Sequence, residues 1–264
     1  MKYLFFMKWL LKILLGLYLL ICLGLYLVQD QFLFLPDHLS DNHQFRMGQE
    51  IEIEVDEGVY LNNIFIPAAS SKGVILYLHG NKGSNRRCLY QASKLMGNNY
   101  DILMPDYRGY GKSDGVIDSE KQLYQDVQKV YNYLKEKYDE SKIVVVGYSL
   151  GTSMATYLAS HNNPKHLVLN SPFISICDLK NRRLPFFPDI VVKYHLNNQK
   201  HLKSVNVPTT IFHGTMDELI PFDSAEKLSA LNPQLFELVP LPNTGHRRAI
   251  FSDLFSSKIS HILM

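Results

Sequence analysis

Ser149 is the residue of this chain whose surroundings most clearly indicate chemistry. It stands between Gly147 and Gly151, after the apolar β-branched run 143–146 and before residues 152–159, which have the composition of a helix. At a sharp turn from strand to helix, a serine exposes its hydroxyl group at the end of the strand, and the flanking glycines let strand and helix approach closely. The pattern predicts a nucleophilic serine, and a purely structural tight turn is the alternative.

A nucleophilic serine needs a base to take its proton and an acid to orient that base. His246 follows the last predicted strand, residues 235–239, and Asp217 lies beyond the strand predicted at 209–212. In open α/β sheets, the segments after the carboxyl ends of the strands meet at one edge, and the chain order serine, acid, histidine is typical of such a sheet. We therefore predict that Ser149, Asp217 and His246 form a catalytic triad. The alternatives are a turn role for Asp217 and a surface-loop role for His246.

Two backbone N–H groups are candidates for stabilising negative charge on a substrate oxygen. One belongs to Leu150, in the first turn of the predicted helix, where N–H groups lack partners within the helix. The other belongs to Asn81, which follows the strand predicted at 74–78. We predict that these two groups form an oxyanion hole beside Ser149.

Other candidates have weaker signals. Tyr148 adjoins the nucleophile, and Phe186 and Phe187 belong to an apolar stretch that could line an acyl pocket or lie in the core beneath a loop. We predict substrate contacts for these three residues. His79 and His213 each precede a glycine at a strand end, and we predict that both are buried, hydrogen-bonded turn residues.

The rest of the chain alternates between strand-like and helix-like segments. Residues 50–55 and 59–66 read as a β-hairpin, and later apolar runs alternate with helices predicted at 86–96, 119–138, 223–231 and after residue 246. This alternation predicts an α/β fold with a mostly parallel central sheet, an N-terminal antiparallel hairpin and helices on both faces. A long connection, residues 171–208, with a short helix predicted at 189–195, predicts a small cap insertion at about residues 172–207.

The N-terminal segment differs from the rest in composition. Residues 13–28 carry no charge, and an extension back to Trp9 admits only Lys12, so that about twenty residues could cross a bilayer as a helix. We expect an uncleaved transmembrane anchor within residues 1–36, with a cleaved signal peptide as the alternative, and a catalytic domain at residues 37–264. Lysines precede the apolar span and aspartates follow it, which predicts a cytoplasmic N-terminus and an extracytoplasmic domain.

The overall charge balance and the motifs limit the partners. The 264 residues carry a net charge of +2, and no basic stripe with interleaved aromatic residues indicates nucleic-acid binding. Arginine doublets at 86–87, 182–183 and 247–248 could meet anionic head groups or form solvated surface. No metal-ligand spacing and no phosphate-binding or dinucleotide-binding glycine motif occurs in the sequence, so we predict neither a metal nor a cofactor.

Together these motifs make residues 51 to the C-terminus resemble the α/β-hydrolase superfamily, and more narrowly its small-cap, membrane-anchored esterase and acyl-protein-thioesterase-like branch, related to the serine aminopeptidases. The motifs that carry the resemblance lie at residues 79–81, 106–113, 147–151, 171–173, 213–217 and 245–246. The connection after residue 173 is shorter than the large lids of lipases. The resemblance implies that Ser149, Asp217 and His246 form the triad and that Leu150 and Asn81 supply the oxyanion hole.

The activity that follows is hydrolysis of carboxylic esters or thioesters through an acyl-enzyme. The expected partners are a lipid or acylated substrate and the membrane around the N-terminal helix. A serine aminopeptidase-like peptidase is the alternative within catalysis. A non-catalytic scaffold on the same fold is the alternative outside it.

Overall fold

One eight-stranded sheet forms the centre of the computed structural model, which describes residues 2–264. The strands of the described chain are β1 (Leu35–Pro36), β2 (Gln49–Asp56), β3 (Val59–Ile66), β4 (Val74–Leu78), β5 (Lys82–Gly83), β6 (Asp101–Pro105), β7 (Ile143–Tyr148), β8 (His166–Asn170), β9 (Thr209–Gly214) and β10 (Phe236–Leu241). The sheet has the order β10-β9-β8-β7-β4-β6-β3-β2, and β1 pairs with β5 apart from it.

The direction of the strands agrees with the sequence prediction. All neighbours from β10 to β6 are parallel, whereas β3 runs antiparallel to both β6 and β2. Strands β2 and β3 form the predicted hairpin at one edge of the sheet. The prediction of an α/β fold with a mostly parallel sheet and an N-terminal antiparallel hairpin is therefore confirmed.

Helices cover both faces of this sheet. The helices of the described chain are α1 (Lys2–Val28), α2 (Asp30–Leu33), α3 (Asn85–Ala92), α4 (Glu120–Lys135), α5 (Gly151–His161), α6 (Ile176–Arg183), α7 (Asn198–Leu202), α8 (Asp223–Ser229) and α9 (Asp253–Ile262). Short 3-10 turns lie at Glu140–Lys142, Asp189–Val191 and His246–Phe251. Helix α3 ends before the predicted residue 96, because the chain turns there and reaches Gly97 in a left-handed conformation, with φ 85°.

Strand β7 lies between β4 and β8, and all six of its residues are buried. Successive side chains of a strand point to opposite faces. Accordingly, Ile143 and Val145 join the apolar cluster beneath α4 and α5, while Val144 and Val146 join the cluster beneath α3 and α9. The unbroken β-branched run thus places the end of β7, and the residue that follows it, in the middle of the sheet's carboxyl edge.

The connection between β8 and β9 has more structure than the pattern predicts. It contains α6 and α7, and the helix predicted at 189–195 is wrong, since only a 3-10 turn forms at Asp189–Val191. Val192 is extended, with φ −89° and ψ 112°, in keeping with the poor helix propensity of β-branched residues. Helix α7 begins after Asn197, whose side chain accepts the backbone N–H of Lys200.

Helix α1 stands apart from the apolar core of the domain. It is 27 residues long, and it is long and apolar enough to cross a membrane by length and composition. Nearly all its large apolar side chains are exposed, and Cys22 is its one buried residue. A membrane anchor and a signal sequence both fit these properties.

Candidate active site

The turn between β7 and α5 holds Ser149 in a strained conformation. Its φ is 51°, in the left-handed region that non-glycine residues seldom adopt, and its N–H donates to the carbonyl oxygen of Asn170 at 2.9 Å. A Cβ at Gly151 would overlap the carbonyl oxygen of Leu78, and one at Gly147 would lie 2.6 Å from the carbonyl oxygen of Gly151. The two glycines are therefore required by the close approach of α5 to the strands.

Three of the residues predicted from the sequence meet at this turn. The Nε2 atom of His246 lies 3.0 Å from the Oγ atom of Ser149, and its Nδ1 atom lies 2.8 Å from Oδ2 of Asp217. His246 begins the 3-10 turn after β10, and Asp217 lies in the loop after β9. This geometry allows the imidazole to take a proton from the serine while the carboxylate holds the ring in the right tautomer.

The surroundings of Asp217 keep its carboxylate charged. Burial opposes ionisation, but the hydrogen bonds from His246 and from the backbone N–H of Ile220 outweigh it, so the pKa of Asp217 is held below its ordinary value. A second N–H, from Leu219, also reaches Oδ1 at 2.9 Å. His213 lies 3.4 Å from Oδ2, but its ring donates to the carbonyl oxygen of Ile220, and burial lowers its pKa. The charged group next to His246 is therefore the ionised carboxylate of Asp217.

Leu150 and Asn81, the two residues of the predicted oxyanion hole, both line the cavity that contains Ser149. Among the described residues, neither backbone N–H donates to a carbonyl group, whereas the N–H of Ser149 is already used by Asn170. Free N–H groups beside a nucleophile can bind the oxygen that becomes negative during attack on a carbonyl.

A short strand pair that the sequence pattern does not reveal holds Asn81 in place. Its carbonyl oxygen accepts the N–H of Leu35 at 3.0 Å and the hydroxyl group of Tyr110 at 2.8 Å. The bond from Leu35 adjoins the pairing of β1 with β5, which joins the segment after α1 to the loop beside Ser149. The sequence offers one indication of this pairing, the segment 31–36 after the apolar span, whose composition suits either the membrane interface or packing on the domain.

Buried polar groups form hydrogen bonds and close contacts next to the loop that contains Asn81. His79 is fully buried, and its Nε2 atom lies 3.2 Å from Oδ1 of Asp106, which also accepts the N–H of Asn85 at 2.8 Å. The hydroxyl group of Tyr107 donates to the carbonyl oxygen of His79 at 2.8 Å. The Nδ1 atom of His79 lies 2.7 Å from the carbonyl oxygen of Gly80. His79 and His213 are thus buried and hydrogen-bonded, as predicted, and neither ring forms a hydrogen bond with Ser149.

A cavity of about 590 Å³ opens beside Ser149 and His246. Part of its apolar lining comes from the end of α2 and the segment after it, from α6 and from the loop after β9: Leu33, Leu35, Ile176, Leu179, Leu219 and Ile220. Its charged lining is basic, and among the described residues that line it there is no carboxylate: Lys82, Arg87, Arg183 and Arg247. One arginine from each doublet therefore faces the cavity.

The residues predicted to contact substrate separate into two groups. Tyr148 lines the cavity, and its ring centroid lies 5.5 Å from that of His246. Phe186 and Phe187 do not line it: the ring of Phe187 stacks on Tyr18 of α1, and Phe186 is 85% exposed. The prediction of an acyl pocket formed by these two phenylalanines is thus corrected, because the cap turns that stretch toward the N-terminal helix.

Comparison with known protein families gives a match to one family. The family described as serine aminopeptidase, S33, matches residues 69–202 of this chain, about half of its length. That stretch contains Asn81 and Ser149 and ends before Asp217 and His246. The family match therefore does not cover Asp217 and His246, and it is the structure that brings them to the same place as Asn81 and Ser149.

Curated relatives include proteins with and without a named activity. The uncharacterized protein YfhR of Escherichia coli is 26% identical over 237 residues, which cover 86% of this chain and 82% of that protein. The lysophosphatidylserine lipase ABHD12 of Macaca fascicularis is 31% identical over 186 residues, which cover 62% of this chain and 46% of the lipase.

Solved structures of similar fold include hydrolases. An esterase of Pyrococcus furiosus superposes with a TM-score of 0.69 at 22% identity, over 88% of this chain and 97% of the esterase. An α/β-hydrolase of Vibrio vulnificus superposes with a TM-score of 0.64 at 25% identity, over 81% of this chain and 80% of that chain. Likeness at this level shows that the fold is shared.

The two neighbouring carboxylates of the loop after β9 should differ sharply in their effect. Asp217→Asn should lower kcat for an activated ester by about ten-thousand-fold with little change in KM, because the amide no longer holds the imidazole or stabilises its charge. Glu218→Gln is the matched control, since Glu218 contacts only the backbone N–H of His246, at 3.2 Å, and an amide oxygen still accepts that bond. Equal losses in the two variants would show that Asp217 is not the acid.

Proposed function

Since this chain belongs to the serine aminopeptidase S33 family of α/β-hydrolases, we propose that it is a membrane-anchored serine hydrolase that cleaves carboxylic esters or thioesters of acylated substrates. One observation carries the proposal. The hydrogen bonds from Asp217 through His246 to Ser149 form a continuous path beside a cavity with apolar walls. That arrangement suits attack on the carbonyl carbon of an acyl group.

Acylation uses each part of this site. As the Oγ atom of Ser149 attacks the carbonyl carbon, Nε2 of His246 takes the hydroxyl proton. The carbonyl oxygen becomes negative and meets the N–H groups of Leu150 and Asn81, each such donor lowering the barrier by about 3 to 4 kcal/mol. The tetrahedral intermediate collapses, the leaving alcohol or thiol takes the proton from His246, and the acyl group stays on Ser149.

Deacylation repeats these steps with water. His246 takes a proton from a water molecule as its oxygen attacks the acyl carbon, and the proton then passes to the Oγ atom as the carboxylic acid leaves. Asp217 stabilises the charged imidazole in both halves and stays ionised, in keeping with its lowered pKa.

The decisive test is a change at the nucleophile. Ser149→Ala should abolish labelling by a fluorophosphonate and lower kcat for p-nitrophenyl esters by about a million-fold. Ser160→Ala is the matched control, since it removes a hydroxyl group from α5, the helix that follows Ser149, where that group donates to the carbonyl oxygen of Tyr157. A folded wild-type protein that neither labels nor hydrolyses a panel of esters and thioesters of graded chain length would favour a scaffold without catalysis.

The family description also raises the alternative of an aminopeptidase. Such an enzyme binds the positively charged amino terminus of its substrate, which calls for carboxylates near the serine. The described lining of this cavity has four basic side chains and no acidic one. Its charge favours a substrate with a negative group, so the ester or thioester proposal is preferred.

The same charges define a class of ester. Apolar side chains along one side of the cavity suit an acyl chain, and Arg87, Arg183 and Arg247 suit a phosphate or carboxylate on the leaving group. The named activity of ABHD12, a lysophosphatidylserine lipase, agrees with a lipid of this kind. The substrate is accordingly proposed to be a single-chain or otherwise accessible acyl lipid with an anionic head group.

The arginine doublets provide their own control for this assignment. Arg247→Gln should lower kcat/KM for an anionic ester by about five-fold, the effect of about 1 kcal/mol for one charge pair in a solvated site. It should leave kcat/KM for a neutral ester of the same chain length unchanged, and added salt should reduce the difference. Arg248→Gln, at a residue that does not line the cavity, should change neither value. Equal effects at the two positions would contradict anion recognition.

Helix α1 is proposed to anchor the domain in a membrane, where it raises the local concentration of lipid substrates. Lys2, Lys8 and Lys12 lie toward its N-terminus, and Asp30 and Asp37 follow it, which favours a cytoplasmic N-terminus and an extracytoplasmic domain.

The orientation can be measured by protease protection. In vesicles sealed with the cytoplasmic face outward, the domain should resist added protease until detergent is present. Digestion before detergent would reverse the proposed topology.

A further inference from the structure

Helix α1 lies beside the part of the cap that contains residues 186–193. The hydroxyl group of Tyr18 donates to the carbonyl oxygen of Phe186 at 2.8 Å, and the ring of Tyr18 stacks on that of Phe187 with centroids 5.9 Å apart. Near the end of α1, the side chain of Gln29 donates to the carbonyl oxygen of Val191 at 3.1 Å and accepts the N–H of Lys193 at 2.7 Å. The cap segment is thus held at two levels of the helix.

These two levels are far apart along the helix axis. Eleven residues separate Tyr18 from Gln29, which at 1.5 Å per residue corresponds to about 16 Å. Half of a bilayer's hydrocarbon core is about 15 Å thick. If the uncharged stretch 13–28 lies in a membrane, Tyr18 lies near the middle of the bilayer. The residues of the cap that contact Tyr18 must then lie at the same depth.

The composition of the cap segment suits that position. Residues 184–192 are apolar except for Asp189. Phe186 is 85% exposed and Ile190 is 83% exposed, so both present apolar surface outward from the domain. Asp189 is neutralised by Lys180, with Nζ and Oδ1 2.7 Å apart. Lys180 lies in α6, just before the segment, and this ion pair lowers the cost of moving the one charged residue of the segment from water into lipid.

The contact also accounts for a tyrosine in the middle of an apolar helix. Aromatic residues with polar groups normally lie near the ends of a membrane span, whereas Tyr18 lies well inside this one. A hydroxyl group and a backbone carbonyl within hydrocarbon both need partners. Tyr18 and Phe186 satisfy each other.

We propose that cap residues 184–192 insert into the bilayer beside α1, so that the cavity opens onto the leaflet and lipid substrates enter it sideways. The proposal rests on the proposed membrane anchoring of α1. The cavity is placed for such entry, since its lining includes Leu33 and Leu35 from the segment after the helix, and Ile176 and Leu179 from the helix that leads into the cap tip. An acyl chain could pass from the leaflet to Ser149 along apolar surface.

Tryptophan fluorescence can measure the depth directly, because the chain has a single tryptophan, Trp9, and it lies in α1. In the Trp9→Phe background, the full-length protein would carry Phe186→Trp, Ile190→Trp or Met96→Trp. Met96 lies in the turn that leads into β6, at the amino edge of the sheet and opposite the cavity. Each variant would be reconstituted into phosphatidylcholine vesicles brominated near the glycerol or near the middle of the acyl chain.

The expected result is graded. Phe186→Trp should be quenched most by bromines near the middle of the chain, Ile190→Trp most by bromines near the glycerol, and both should be shielded from aqueous iodide. Met96→Trp should be quenched by aqueous iodide and should not be quenched by bromine at either depth. Quenching of Phe186→Trp by iodide and not by bromine would overturn the insertion.

The unmodified protein separates this proposal from the one on which it rests. If bromine quenches native Trp9 but not Phe186→Trp, the anchor stands and the insertion of the cap is refuted. If bromine quenches neither, the anchor and the insertion both fall. Fluorophosphonate labelling of Ser149 depends on neither result and tests the hydrolase proposal separately.

Discussion

The close approach of α5 to the strands beside it is the constraint on which the rest of the site depends. Gly151 packs against the carbonyl oxygen of Leu78, where any side chain would overlap it. This contact forces the chain to turn within two residues of the end of β7, and Ser149 takes the positive φ that the turn requires. Its side chain therefore points away from the sheet, and the N–H of Leu150 is left free beside it.

A second constraint is the charge on Asp217. A buried carboxylate is unfavourable unless hydrogen bonds and a positive or polarisable partner compensate for the lost hydration. The loop after β9 supplies two backbone N–H groups to one oxygen, and His246 supplies a ring N–H to the other. The same bonds that stabilise the charge also fix the direction of the imidazole, so the electrostatics and the geometry of the site have one structural cause.

The segment that follows α1 connects the N-terminal helix to the candidate active site. Strand β1 pairs with β5, and the N–H of Leu35 donates to the carbonyl oxygen of Asn81, a residue that lines the cavity. The cap contacts the same helix through Tyr18 and Gln29. The N-terminal helix thus contacts the cap directly and is linked through β1 to the loop that contains Asn81.

Patterns that act over a few residues could be predicted from the sequence. The β-branched run before Ser149 and the glycines around it specify the strand and the turn, and the alternation of apolar runs and helices specifies a mostly parallel sheet, whose carboxyl edge collects Asp217 and His246. Shorter elements were less predictable: the helix expected at 189–195 is a 3-10 turn, because local preference there is weak and the packing of the cap decides.

Tertiary structure alone decided the rest, because it depends on residues far apart in the chain. Ser149 and His246 are separated by 97 positions. The distance of 3.0 Å between Oγ of Ser149 and Nε2 of His246 follows from the side-by-side pairing of the four parallel strands β7 to β10. Which arginine of each doublet faces the cavity depends on how α3, α6 and the 3-10 turn after β10 pack around it. Whether Phe186 faces a substrate or the N-terminal helix depends on how the cap packs. Sequence by itself determined the kind of residues at the site and the fold that brings their loops to one edge, since periodicity and turn preference are local. Packing across the whole chain determined the distances.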